Sequence, residues 1–312
     1  MENDLIISPS PHIRAKTSTT RIMLDVLIAL IPAAAASVFL FGFHALVLIA
    51  DSVIAAVMAE YISRKVMKRE NTTGDLSAVV TGVLVAFNLP PTIAPGYAVF
   101  GSVIAVVVVK QMFGGIGNNF VNPALAARII LLSSFPKAMT NWTAPFGYSG
   151  MKTDAVSCAT PLALTAQGEH VAVTDLLFGT TGGCLGETCA AALILGGVYL
   201  MLRRVISPVI PVVYIGTVSL MSMALSLDPL VQILSGGLLL GAFFMATDYT
   251  TSPITPKGKM IYAFGCGIIT ILIRKYANLP EGVSFSILIM NILTPLIERV
   301  TIPKPFNQLT VD

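Results

Sequence analysis

Charge is what this chain has least of. Only 11% of its 312 residues are Asp, Glu, Lys or Arg, against 55% hydrophobic, and the mean hydropathy is +0.82. That balance excludes an ordinary water-soluble domain. A net charge of +3 does not point to nucleic acid, because the Lys and Arg residues lie mostly between apolar stretches, where they set orientation. Histidine is scarce too: His12 in the tail, His44 at the edge of an apolar stretch and His170 in a polar loop. The four cysteines, 158, 184, 189 and 266, show no zinc or haem spacing. Cys184-x4-Cys189 reads either as half of an iron–sulfur site or as small packing thiols in a Gly/Ala-rich helix. No nucleotide P-loop is present, and no dinucleotide fingerprint follows a strand. Gly114-Gly115-Ile116-Gly117 has a phosphate-friendly composition but falls between two apolar segments and reads as a tight turn. Redox work in this chain therefore needs an organic cofactor or one supplied by neighbours.

What is present is apolar sequence from end to end. A hydrocarbon core of about 30 Å takes roughly 20 helical residues. Spans are expected near 21–42, 44–63, 76–90, 96–113, 119–135, 185–202, 206–226, 230–247, 259–275 and 282–300, making an all-α polytopic membrane protein of about ten helices. Arg14, Lys16 and Arg21 ahead of an Ala33–Ala36 run admit a signal-peptide reading. The apolar stretch, however, continues well past any small-residue cleavage point.

With the N-terminus in the cytoplasm, fourteen of the 19 Lys and Arg residues fall on the inner side. Lys137, Lys152, Arg274 and Lys275 fall outside, and Arg128 lies within a span. The positive-inside rule then places both termini in the cytoplasm and a long loop, 136–184, outside, with Arg274-Lys275 the dissenting pair. Tyr97-Ala98-Val99-Phe100-Gly101 followed by Lys110 parallels Tyr262-Ala263-Phe264-Gly265 followed by Arg274. Upstream, Val80-Thr81-Gly82 parallels Leu234-Ser235-Gly236. Five spans per half forces the second half to enter from the opposite face, so the expected organisation is two inverted five-helix repeats, 21–135 and 185–301, between tails 1–20 and 302–312. In such folds Pro- or Gly-interrupted helices at matching places mark the ligand site. Here those places are Asn88–Thr92 and Thr247–Pro253, which also read as ordinary proline-bearing turns.

Ionisable residues inside spans need a purpose. Arg128 follows the amide-rich Asn118–Pro123 and suits an anionic or carbonyl-rich ligand, or else a helix C-terminus or an aspartate. Asp25 and Asp51 are cation ligands or interfacial residues, and Asp248 closes the eighth span. The outer loop, near 50 residues, is long for a compact bundle, and long loops tend to be functional. It carries Asp154-Ala155-Val156-Ser157-Cys158-Ala159-Thr160. By composition alone that run is loop filler.

Asp154–Thr160 with Pro161-Leu162 resembles the flavinylation motif Asp-x-x-Ser/Thr-Gly-Ala-Thr that a dedicated flavin transferase reads. Asn122–Arg128, Ala246-Thr247-Asp248 and Thr251-Ser252-Pro253 are also similar to segments of one family, RnfD/NqrB. Its members are membrane subunits of the Rnf ion-translocating ferredoxin:NAD⁺ oxidoreductase and of the sodium-translocating NADH:quinone reductase. The similarity covers nearly the whole chain, and the short N-terminal stretch favours the Rnf relative. Cys158 departs from the usual Gly.

The resemblance implies an electron-transfer subunit of a cytoplasmic-membrane complex that moves Na⁺ or H⁺ and includes a second flavinylated subunit. It implies FMN joined through its phosphate to Thr160, with Asp154, Ser157, Cys158 and Ala159 read by the transferase. A non-covalent riboflavin is implied between the helices, with Asn122, Arg128, Asp248 and Thr251 as the expected neighbours. Asp25 and Asp248 are the expected carboxylates of the ion path. The competing class is a channel or secondary transporter for a small polar solute, with an unmodified loop. If Asp25 lies on the ion path, Asp25→Asn uncouples ion transport from electron flow in membrane vesicles; unchanged transport per electron removes Asp25 from that role.

Overall fold

The computed structural model describes residues 18–146, 159–277 and 282–303. Helix α1 (Thr19–Phe41) starts where the Ser18 hydroxyl accepts the Arg21 N–H at 3.3 Å, an N-cap that satisfies one of the orphan amides. Helix α2 (Phe43–Val66) follows, then α3 (Ser77–Phe87), α4 (Pro95–Gln111) and α5 (Pro123–Ser134). The last eight residues of α4, Ile104–Gln111, are wound as a π-helix. Three short helices follow α5: α6 (Pro136–Met139), α7 (Pro161–Ala166) and α8 (Val173–Phe178). Then come α9 (Ala190–Leu202), α10 (Val209–Ala224), α11 (Pro229–Leu234) and α12 (Leu238–Leu240). Helix α12 runs on as π-helical turns through Gly241–Met245. Helices α13 (Pro256–Tyr276) and α14 (Gly282–Thr301) close the described part.

Among the described residues α1, α2, α13 and α14 are long and apolar enough to cross a membrane, while α3, α4, α5, α9 and α10 are apolar but shorter. Large apolar side chains face outward, with Phe39 67%, Leu220 70% and Val300 83% exposed. Exposure on that scale marks a surface made for lipid or for other chains. Tyr214 and Tyr262 lie wholly inside. The Tyr214 hydroxyl hydrogen-bonds Thr270 Oγ1 at 2.7 Å and Ser286 Oγ at 3.1 Å, fastening α10, α13 and α14 together. Such interhelical bonds substitute for a hydrophobic drive that lipid does not supply.

The single span expected over 230–247 is instead two pieces. Gly236 and Gly237 sit at φ 63° and 69° between α11 and α12, a left-handed conformation that ends one helix and restarts the next. Arg274 satisfies the freed carbonyls, its guanidinium donating to the oxygens of Gln232 at 2.6 Å, Ser235 at 3.1 Å and Gly236 at 3.2 Å. The end of α3 is treated alike: the N–H groups of Leu185 and Gly186 donate to the carbonyls of Leu89 and Phe87, each at 3.0 Å. Two charges counted as loop residues are also inside, Lys110 at 3% and Arg64 at 8% exposure.

The Gly114–Gly117 run is the expected tight turn, with positive φ at Gly114, Gly115 and Gly117. Gly115, at φ 99°, packs where a Cβ would collide with the Arg64 guanidinium. Gly115→Ala combines that collision with a left-handed backbone, so it should destabilise the protein by about 1–3 kcal/mol. Thermal unfolding in detergent checks this; an unchanged melting temperature would show that the turn relaxes freely.

Candidate functional site

Two places stand out, at opposite ends of the bundle. The first is a cavity of about 310 Å³, the lower end of the range of small-molecule sites. Its walls are the start of α1 (Met23, Val26), α3 (Val80, Thr81, Leu84), Lys110, the Asn119–Ala124 entry to α5, Phe243 and Phe244, and the Thr247–Thr250 turn. Most of the lining is apolar, with polar groups converging from Thr81, Lys110, Asn119, Asn122 and Asp248. Asn122 is fixed as the N-cap of α5: its Oδ1 accepts the N–H of Ala124 at 3.0 Å and of Leu125 at 3.3 Å. Its Nδ2 donates to the Met245 carbonyl at 3.4 Å, bridging α5 to the π-turns after α12. Asp248 Oδ1 accepts the Thr250 N–H at 3.4 Å and Oδ2 the Thr251 hydroxyl at 3.3 Å. Beside it, the Tyr249 hydroxyl donates to the Val205 carbonyl, and burial pushes its phenol up.

Of the residues expected around a buried ligand, the structure brings Asn122 and Asp248 to one cavity and sets Thr251 behind Asp248. Arg128 lies elsewhere. It is 4% exposed, donates to Asn88 Oδ1 at 2.7 Å and borders a void of about 10 Å³ shared with Gly236, Met245 and Ser284. Such a void holds one water at most. Asp25, next to the cavity-lining Met23 and Val26, is paired with Arg203 at 3.3 Å and accepts the Tyr199 hydroxyl at 3.1 Å. Asp51, within α2, is half-buried and outside the cavity.

Asn119 falls in the amide-rich Asn118–Pro123 entry noted from the sequence, whereas Lys110, Phe243, Phe244 and Glu60 were not picked as site residues. Glu60 is fully buried and holds Lys110 at 3.0 Å. Its position inside the second apolar stretch was the available signal, since a carboxylate there needs a partner.

The second place is where the chain returns toward α9, around Thr160. Thr160 is the N-cap of α7, its Oγ1 accepting the Ala163 N–H at 3.3 Å. It borders a small cavity of about 20 Å³ with Trp142, Leu176, Glu187 and Gly236. Asp154, Ser157 and Cys158 lie outside the described residues, and Ala159 precedes the cap. Cys184 and Cys189 each donate to a carbonyl, of Asn88 and Leu177, both at 3.4 Å. Among the described residues no group of His, Cys, Asp and Glu is arranged to hold a metal.

The loop packs on the far end of α1, where the Phe146 N–H donates to the Leu40 carbonyl at 2.7 Å. The cavity instead takes Thr19, Ile22, Met23 and Val26 from the first two turns. From Ile22 to Leu40 is about 27 Å of helix at 1.5 Å per residue. Thr160 thus lies toward one end of the bundle and a mostly apolar cavity with a few polar groups toward the other.

A family model described as the NQR2, RnfD, RnfE family matches residues 6–307. The chain belongs to this family. It is 52% identical to the D component of the Na(+)-translocating ferredoxin:NAD(+) oxidoreductase complex of Acetobacterium woodii, over 96% of this chain and 94% of that protein. It is 43% identical to the proton-translocating counterpart from Clostridium ljungdahlii, over 98% and 97%. The D component of the Stutzerimonas stutzeri ion-translocating oxidoreductase complex is 37% identical, over 94% and 93%. The Asn122 cap is testable by its effect on stability. Asn122→Ala should cost roughly 1 kcal/mol of stability, the usual loss on removing an N-cap, whereas Asn122→Ser keeps a capping oxygen and recovers part of that loss. Equal unfolding temperatures for the alanine variant and wild type would show the cap to be dispensable.

Proposed function

We propose that this chain is a membrane electron-transfer subunit of an ion-translocating ferredoxin:NAD⁺ oxidoreductase, with FMN attached to Thr160 and a non-covalent riboflavin in the inner cavity. The observation that carries the reading is the placement of the two sites at opposite ends of α1. Electron transfer between them then runs across the membrane. The relatives at 52% and 43% identity, named as Na⁺- and proton-translocating subunits, support the same assignment.

The residues present suit both groups. Phe243, Phe244, Leu84 and Val80 offer apolar walls to a planar ring, and Asn119, Asn122, Thr81 and Asp248 offer donors and acceptors to its polar edge and hydroxyls. At Thr160 the hydroxyl oxygen that would join the FMN phosphate makes one long hydrogen bond, which is readily given up. The cavity of about 20 Å³ beside it is too small for a flavin, so the tethered ring lies outside it. When bound, flavins supply one- and two-electron chemistry, and the protein supplies position and electrostatics. The chain's part is to hold one flavin at the outer surface by a covalent tether and to keep water from the other.

The two halves are read as inverted repeats. Lys110 reaches Ser77 at the start of α3, and Arg274 reaches Ser235 and Gly236 just before α12. The termini are assigned to the cytoplasm of a prokaryotic inner membrane and the 136–184 loop to the outside. A flavin transferase, a second flavinylated subunit and Na⁺ or H⁺ complete the partners. Coupling requires two states of the bundle with different ion affinity, with Asp248 at the inner cavity and Asp25, paired to Arg203, beside it in α1 as the proposed carboxylates.

The test is ultraviolet illumination of a denaturing gel, with the protein co-produced with its transferase. A fluorescent band for the wild type that is lost in Thr160→Val is expected. A dark wild-type band, or fluorescence that survives in Thr160→Val, overturns the attachment.

A further inference from the structure

One wall of the inner cavity carries a buried ion pair. Lys110 lines the cavity, and its Nζ donates to Glu60 Oε2 at 3.0 Å and to Ser77 Oγ at 2.5 Å. The two charged side chains are 4% and 0% exposed. Glu60 Oε1 in turn accepts from Gln111 Nε2 at 2.8 Å and from the Thr72 hydroxyl at 3.0 Å. Ser77 is held by Asp75, whose Oδ1 accepts its N–H at 2.8 Å and its hydroxyl at 2.5 Å. Of the three ammonium N–H groups, two are thus taken by protein and one is left for the cavity.

The backbone here is unusual as well. Lys110 and Gln111 are consecutive, yet both side chains reach the same carboxylate. On a regular α-helix neighbouring side chains diverge by about 100°. Here the stretch is π-helical, a winding that is rare and found mostly at functional sites. Stability does not account for the pair, because removing two charges from water is costly and well-packed apolar residues of similar size often do as well or better. What the pair does provide is a cation with an adjustable counter-charge at the edge of an apolar cavity.

We propose that Lys110 is the cation that balances the negative charge a redox ligand in this cavity gains on reduction, and that Glu60 sets how strongly it acts. The inference rests on the reading that a flavin occupies the cavity. Each electron comes from the donor flavin of the proposed relay, which is oxidised as the cavity ligand is reduced. Lys110 keeps its proton, and no bond to it forms or breaks. Its role is electrostatic positioning: in a cavity with few polar groups its attraction for the reduced ligand is poorly screened.

The test is an optical redox titration of the intact complex carrying wild-type, Lys110→Met, Lys110→Arg or Glu60→Gln chain. Non-covalent flavin is quantified in each preparation after acid precipitation, which leaves covalent flavin on the protein. Lys110→Met should move one flavin transition to more negative potential, since the reduced form loses its counter-ion. Glu60→Gln should move the same transition to more positive potential, since the ammonium is less neutralised. Lys110→Arg should leave it near wild type. Opposite shifts separate charge compensation from loosened packing, which would move both variants the same way. Unshifted transitions with flavin bound, or shifts of one sign, overturn the proposal. If Lys110→Met retains no flavin, an unshifted Glu60→Gln alone overturns it. A wild-type complex that releases no acid-extractable flavin overturns instead the assignment of a flavin to the cavity, and this inference falls with it.

Discussion

Lipid provides no hydrogen bonds, and the structure depends on that constraint more than on any single contact. A helix that stops inside the bundle leaves carbonyls and amides that cost several kcal/mol each if nothing meets them. Among the described residues helices stop there after Phe87 and after Leu234, and each interruption meets a dedicated partner. The returning chain lays the N–H groups of Leu185 and Gly186 on the carbonyls beyond α3. Arg274 spreads its guanidinium over three carbonyls between α11 and α12. Asn122 ties the start of α5 to the Met245 carbonyl. These contacts fix how the first and second halves of the chain meet.

The same constraint explains where function gathers. Irregular backbone at membrane depth is tolerated only where protein or a cavity satisfies it, so polar side chains collect at the interruptions. The inner cavity lies between the Asn119–Pro123 entry and the Thr247–Thr250 turn. Thr160 sits by Gly236, at the other broken helix. Each proposed cofactor position is therefore next to an interruption, and α1 supplies the rigid distance between them.

Much of this was legible in the sequence. Apolar run lengths gave a helical membrane protein, and the Pro/Gly punctuation at Asn88–Thr92 and Thr247–Pro253 marked two of the irregular segments. The family resemblance put Asn122 and Asp248 beside one ligand, and they do line one cavity. The break at Gly236-Gly237 was missed, because the apolar run continues straight through it and hydropathy does not register φ. Lys110 was read as a loop charge and Glu60 was passed over. Whether a charge at the end of an apolar run faces water or a carboxylate depends on the neighbouring helix, which no local pattern contains.

By itself the sequence determined what is local: which stretches favour lipid, where prolines and glycines stop helices, and the seven-residue motif ending in one hydroxyl. These follow from composition and spacing, because transfer to lipid and backbone geometry act residue by residue. The tertiary structure alone decided what is shared between distant segments. It pairs Glu60 with Lys110 across 50 positions, gives Arg274 to the carbonyls of α11, and sets Arg128 against Asn88 rather than in the cavity. The reason is that a buried charge takes whichever partner the packing of helices brings within 3 Å or so, and that packing is a property of the whole bundle.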